Sequence, residues 1–377
     1  MSRFRGIALG PIVALIVGAA LPHAAAAAPA RPSTSTSQTP KCHGERATLA
    51  GTNEADVIWG TRRADVIVAR GGDDVVHARG GSDLICAGVG DDNVHAGRGF
   101  DDSVYAAWGA DVVHGGPGRN LMVAGPGNDR MYGGPNFDNF ESPKRDWAKD
   151  VDLFVGRGRS DEFSADPGPD ILKGGKGRDR VSYFQSPDGV DVDLRLDTAT
   201  GDGRDSLLSI EDVIGSHHSD TIKGDNGGND IFSSTGFDTV YGFGGNDELL
   251  DSGGQDYING GRGADDIASS GCVTGTALTT CQTDRPLPDV LVGGPGNDQV
   301  GAGPGDDRLR GNRGDDQLVG GDGQDRIFGG IGDDFLFGGA AAGSNPDSDD
   351  RKIDDLDGGA GTDRCKGRGD ITTNCEP

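Results

Sequence analysis

Broken every nine residues, Gly293–Phe337 reads GGPGNDQVG, AGPGDDRLR, GNRGDDQLV, GGDGQDRIF, GGIGDDFLF. Its sixth column is Asp298, Asp307, Asp316, Asp325 and Asp334, and its eighth is Val300, Leu309, Leu318, Ile327 and Leu336. The same register runs through most of the 377-residue chain. Upstream the sixth column holds Asp56, Asp65, Asp74, Asp83 and Asp92, then, after a one-residue slip, Asp102, Asp111, Asn120, Asp129 and Asp138. Further blocks run Asp152, Asp161, Asp170, Asp179 and Asp220, Asn229, Asp238, Asp247, Asp256, Asp265. Asp289 opens the block that ends at Asp334, and Asp354 and Asp363 close a series of 28 units. In all 28 the eighth column is apolar or cysteine, from Ile58 to Leu356 and Cys365.

A nonapeptide with one obligatory apolar position has no core of its own. Asp-x-apolar-x is a minimal strand whose alternation sends the apolar side chain to one face. The glycine-rich half must turn sharply, which glycine's positive φ permits. Two turns and two strands close an eighteen-residue loop, and stacked loops make parallel strands around a core two side chains wide. One buried aliphatic per nine residues does not offset the entropy of ordering them. Strand pairing and something bound in the turns must supply the rest.

Composition agrees. Glycine numbers 68, about 18% of the chain, and only 33% of residues are hydrophobic, against roughly 45–50% in an ordinary globular domain. Asp and Glu number 61 against 35 Lys and Arg, a formal charge of -26, which disfavours nucleic acid as a partner. What survives is a disordered acidic polymer or a repeat whose carboxylates hold cations, and the periodicity selects the second. Carboxylates and backbone carbonyls are hard oxygen donors, and the repeat columns carry no thiolate or imidazole set, so Ca²⁺ suits them better than Zn²⁺ or Cu²⁺. The candidate ligands are Asp74, Asp83, Asp92, Asp102, Asp111, Asp129, Asp161, Asp170, Asp179, Asp220, Asp238, Asp247, Asp256, Asp265, Asp298, Asp307, Asp316, Asp325, Asp334 and Asp363.

GGPGND (Gly293–Asp298), GGDGQD (Gly320–Asp325) and GGIGDD (Gly329–Asp334), each followed by x-apolar-x, resemble the RTX, or haemolysin-type, calcium-binding nonapeptide. The resemblance covers roughly Gly51–Asp370 and implies an all-β fold, a parallel β-roll (β-solenoid) of GGxGxDxUx repeats. It also implies multiple Ca²⁺ between successive turns, held by sixth-column Asp and turn carbonyls. Gly51–Asp56 and Gly60–Asp65 lack the fourth-column glycine, Asn120 replaces Asp, and 133–138 ends in Pro-Asn-Phe before its Asp. Those turns are expected to bind weakly or not at all.

Arg3 and Arg5 precede an apolar run, Ile7–Leu21, and a small-residue stretch, Ala24–Ala28, the order of a secretory signal peptide. Cleavage there takes the charge from -26 to about -28, by loss of two arginines, which about 14 Ca²⁺ would neutralise. The expected organisation is a signal peptide at 1–28, a linker and N-terminal cap at 29–50, and repeats at 51–182, 215–268 and 289–339. A strand insert occupies 183–214, a disulfide-containing insert 269–288, and terminal repeats with a disulfide cap 340–377. Within 183–214, Val190, Val192, Leu194 and Leu196 alternate with charged residues, a strand signal, and Thr200-Gly201 turns the chain. Six cysteines in an exported chain favour disulfides, with fifteen possible pairings. Proximity favours Cys272–Cys281 and Cys365–Cys375, which leaves Cys42 with Cys86.

No stretch of more than about forty residues is free of repeats, and neither HExxH nor GxSxG occurs, so no catalytic residue is assigned and the chain is expected not to be an enzyme. His77, His95 and His114 share the ninth column of alternate units and should stack on one outer face, with Trp59 and Tyr132 extending the row. That row is either a ligand-binding strip or a solvent-facing ladder. The expected function is a secreted, extracellular calcium-binding protein, stiffened or folded by Ca²⁺, with a structural, adhesive or surface-matrix role. Its partners would be calcium and cell-surface or matrix polysaccharide, with no transmembrane segment in the mature chain. The alternatives are a carbohydrate-binding module and a polysaccharide lyase-like enzyme.

Overall fold

The computed structural model describes residues 39–142, 150–269, 287–339, 354–366 and 371–376. Among them every regular element is a strand. Each nonapeptide lays down one strand, and consecutive units alternate between two sheets. Among the described residues sheet 1 contains sixteen strands, from Leu49–Ala50 to Arg364–Lys366, about sixteen coils of roll. Sheet 2 runs from Val57–Trp59 to Ile371–Thr373. Pairing is parallel and in register with the repeat, as in Val300 with Leu318 and Leu291 with Leu309. The slip before Asp102 is absorbed in a turn, because Ile85 still pairs with Val104 and Val94 with Val113.

The eighth column forms the core. Ile67, Val76, Ile85, Leu249, Leu318 and Leu336 are fully buried, and Phe140, Phe154 and Phe163 stack inside the roll with centroids 5.6 and 4.8 Å apart. Turns stay tight because the fourth column is glycine. Gly314 has φ +125°, and a Cβ there would lie 1.5 Å from the carbonyl oxygen of Gly296 one coil earlier.

The segment expected as an insert at 183–214 divides in the structure. Arg204–Leu208 pairs in parallel with Ile171–Lys173, and Asp212–Ile214 with Arg180–Ser182, so the roll resumes at Arg204. The strand expected over 190–196 stops at Asp193, where Arg195 turns back to bond Asp193 from both Nε and Nη2, at 3.1 and 2.7 Å. Leu196 is consequently exposed. Asp191–Asp193 and Thr198–Thr200 form a hairpin added to sheet 2 between Arg204–Leu208 and Thr221–Lys223. These two strands have no counterparts in sheet 1, which continues directly from Asp212–Ile214 to Asp230–Phe232. Sheet 2 therefore holds two more strands than sheet 1 at this level. The outer face of sheet 1 at this level is a groove of about 600 Å³, lined by Glu141, Glu162, Arg180, Phe184, Phe232 and Glu248 among others.

Near the N-terminus, Lys41–Cys42 and Glu45–Arg46 make a small ribbon tied to sheet 1 by the Cys42–Cys86 disulfide, with His43 stacked on Tyr105 at 3.6 Å. Cys365 bonds Cys375 at the other end. Cys272, Cys281 and the signal-peptide region lie outside the described residues.

Candidate functional site

Each sixth-column Asp closes a turn immediately before its strand, where strand geometry sends its side chain inward. The rows run along two edges of the roll. Asp74, Asp92, Asp111, Asp129, Asp170, Asp220, Asp238, Asp256, Asp307 and Asp325 precede sheet 2, whereas Asp83, Asp102, Asp161, Asp179, Asp247, Asp265, Asp298, Asp316, Asp334 and Asp363 precede sheet 1. All are buried, at 0–2% exposure. Along each row Oδ1 accepts the backbone N–H of the equivalent residue one coil earlier. Asp238 donates to Asp256 at 2.7 Å, Asp298 to Asp316 at 2.9 Å, and Asp316 to Asp334 at 2.9 Å.

The second oxygen is different. Oδ2 of Asp74, Asp83, Asp92, Asp102, Asp111, Asp161, Asp170, Asp179, Asp238, Asp247, Asp256, Asp265, Asp298, Asp307, Asp316, Asp334 and Asp363 is buried without a hydrogen-bond partner. Asp325 occupies the same position, with its Oδ2 2.3 Å from where a Gly320 Cβ would sit. Leaving a buried carboxylate oxygen unsatisfied is costly, and a row of them is the arrangement a cation completes. In several units first-column glycine lets that oxygen lie close against the backbone. A Cβ on Gly311 would stand 2.1 Å from Asp316 Oδ2, and one on Gly293 2.3 Å from Asp298 Oδ2. The donor set is carboxylate and turn carbonyl, which fits Ca²⁺ and offers nothing to a softer metal.

Two expected ligands stand apart. Oδ2 of Asp129 accepts the Gly125 N–H at 3.0 Å, and Oδ2 of Asp220 accepts the Ser216 N–H at 2.6 Å. The same self-satisfaction occurs in the divergent turns, where Thr52, Thr61 and Gly134 donate to Asp56, Asp65 and Asp138 at 2.6, 2.7 and 2.6 Å. Asn120 gives its amide to Asp138 Oδ1 at 2.8 Å.

Burial, reinforced by neighbouring carboxylates, pushes Asp92 and Asp111 up to about 7 and Asp161 and Asp307 up to about 8. Without a counter-ion these rows hold protons into the neutral range; a bound divalent ion would displace them.

Two members of the rows escape the nine-residue register. Asp205 takes the Asp170 N–H at 3.0 Å and the Tyr183 hydroxyl at 2.8 Å. Glu211 takes the Asp179 N–H at 2.8 Å. Both follow the irregular segment after Ser182, so no column position marks them.

The ninth-column row on sheet 2 is a continuous stack. Ring centroids are 4.1 Å apart for Trp59 and His77, 5.0 Å for His77 and His95, and 4.9 Å for His95–His114 and His114–Tyr132. Arg79 covers Trp59 at one end and Arg157 covers Tyr132 at the other. The imidazoles use their faces on one another, and among the described residues no three of their nitrogens converge on a point.

A family model described as RTX calcium-binding nonapeptide repeat (4 copies) matches residues 50–85, 87–122, 105–139, 155–183, 223–251, 241–271, 288–318 and 310–343. Together these segments cover more than half of the chain and omit the hairpin region. A search of curated proteins found no match to this chain.

Proposed function

The chain belongs to the RTX calcium-binding nonapeptide-repeat family, and from that premise we propose a secreted protein that calcium folds or stiffens outside the cell, with a structural or adhesive role at a surface or matrix and no catalytic activity. The observation that carries this reading is the length of the paired rows. Unsatisfied buried carboxylates recur from Asp74 to Asp363, so the cation requirement belongs to the whole scaffold and not to one pocket. The sixth-column aspartates would hold the ions, and bound calcium would supply the positive charge that lets them stay ionised. Extracellular modules commonly bind at about 10⁻⁴–10⁻³ M, a range that leaves the chain unloaded in a cytosol and loaded outside. Fractionation tests it. Retention on the cell surface in millimolar calcium and release by a chelator is expected; confinement to the cytoplasm contradicts it.

A second reading, a carbohydrate-binding module, is favoured by the groove on sheet 1, where the carboxylates of Glu141, Glu162 and Glu248 lie beside Phe184 and Phe232. Carboxylates bonding hydroxyls next to aromatic faces suit neutral glycans. A glycan array in millimolar calcium separates the two: specific binding favours the module, and none leaves the structural role.

A further inference from the structure

Column one of the repeat carries Gly, Ala or Ser in every described unit that ends on a sixth-column Asp or Asn, with the exception of Asp251. Asp251 is fully buried. Ser233, one coil earlier, donates to its Oδ1 at 2.9 Å, and the Gly253 N–H donates to its Oδ2 at 2.7 Å. Ser269, one coil later, donates to Asp289 Oδ2 at 2.6 Å and faces Asp251 Oδ2 at 3.4 Å.

Beside Asp251 stand Asp256, the sixth column of its own unit, and Asp238, one coil before. The three residues bring carboxylate oxygens within 4.8 Å of one another. Asp238 Oδ1 and Asp256 Oδ1 are taken by the N–H groups of Asp220 and Asp238, while the Oδ2 of each is buried and unpartnered. Both residues are only 2% exposed. The ion pairs among the described residues involve Asp191, Asp193, Asp212 and Asp230, and none reaches this cluster.

We propose that Asp238, Asp251 and Asp256 form a tri-carboxylate cation site that differs in composition from the ordinary turns and holds the tightest calcium ion in the roll. In the other described turns the first column offers no charge; here it adds a third anionic ligand, and ligand charge count is what tunes affinity among oxygen-donor calcium sites. The Ser233 hydroxyl supports Asp251 from a column that is glycine or alanine in most other described units. The inference rests on the calcium reading of the sixth column.

The test uses the full chain, loaded with calcium, dialysed against a weak chelator, and assayed for retained calcium per chain by atomic emission. The wild type is expected to keep one ion more than Asp251→Asn and Asp251→Ser. Asp251→Ser installs the residue that both neighbouring coils carry, so its fold is retained, and circular dichroism in millimolar calcium checks this. Stepwise titration of the wild type should also resolve one site at least tenfold tighter than the remainder. Equal retention by wild type and variants, or one uniform class of sites, overturns this inference while leaving the repeat's calcium binding intact. Absence of calcium binding in all three proteins overturns both.

Discussion

The backbone N–H of Asp298 donates to Oδ1 of Asp316 at 2.9 Å, eighteen residues on, while Oδ2 of the same carboxylate is buried with no partner. One side chain thus ties two coils together and presents an unsatisfied charge to the turn. Asp316→Asn keeps an acceptor and removes the charge. It is expected to leave the calcium-free protein as stable or more so while lowering calcium stoichiometry. Asp316→Ala also orphans the Asp298 N–H and should cost about 1–3 kcal/mol in chelator, and more in calcium, where a ligand is lost as well. Denaturant titrations in chelator and in calcium give the comparison, and an Asn variant that binds the full complement of calcium contradicts the assignment.

The pH dependence of the calcium-free chain has a definite sign. Burial, then neighbouring carboxylates, raise Asp298 to about 7 and Asp307 to about 8, against about 3.9 when unfolded. Between those values the native state binds more protons than the unfolded state. Stability is therefore fully present below about pH 4 and is lost as pH rises through 7 to 8. The urea midpoint in chelator should fall from pH 5 to pH 8, and calcium binding at pH 7 should release protons. A calcium-free midpoint that climbs with pH contradicts the buried-carboxylate account.

The turns discriminate between glycines. At Gly314, with φ +125°, a Cβ would meet the Gly296 oxygen at 1.5 Å, whereas at Gly301 it would meet nothing within 4 Å. Gly314→Ala should cost at least about 1–3 kcal/mol, and Gly301→Ala should stay within about 0.5 kcal/mol. Thermal melts in calcium measure both, and equal effects would mean that coil spacing does not depend on the fourth column.

The Cys42–Cys86 bond closes a separation of 44 residues and seats the N-terminal ribbon on sheet 1. Cys42→Ser with Cys86→Ser should lower stability by about 2–5 kcal/mol and free the ribbon to proteolysis near His43. Unchanged protease sensitivity would show that packing of His43 on Tyr105 suffices.

Whatever repeats in this chain is legible in its amino-acid order. The eighth column becomes the core because alternation within a three-residue strand leaves Leu318 or Ile327 one direction to face. The sixth column becomes the buried rows because Asp precedes that strand at a fixed interval. Asp205 and Glu211 are illegible, since the segment from Tyr183 to Gly203 displaces them from the register although space returns them to it. The strand through Leu196 fails for a different reason: Arg195 bonds Asp193 and ends it locally, a competition that apolar alternation does not reveal. Asp129 and Asp220 match the column and lie in the rows, yet their Oδ2 already accepts a backbone N–H from their own turn, so no orphaned oxygen marks them as it marks the others.

That cations complete these rows is tested by far-UV circular dichroism of the full chain, first with calcium and then in excess chelator. A β-rich spectrum is expected in millimolar calcium, collapsing toward a disordered one in chelator at pH 8 and returning when calcium is restored. A β-rich spectrum unchanged by chelator at that pH would show that the buried carboxylates need no cation.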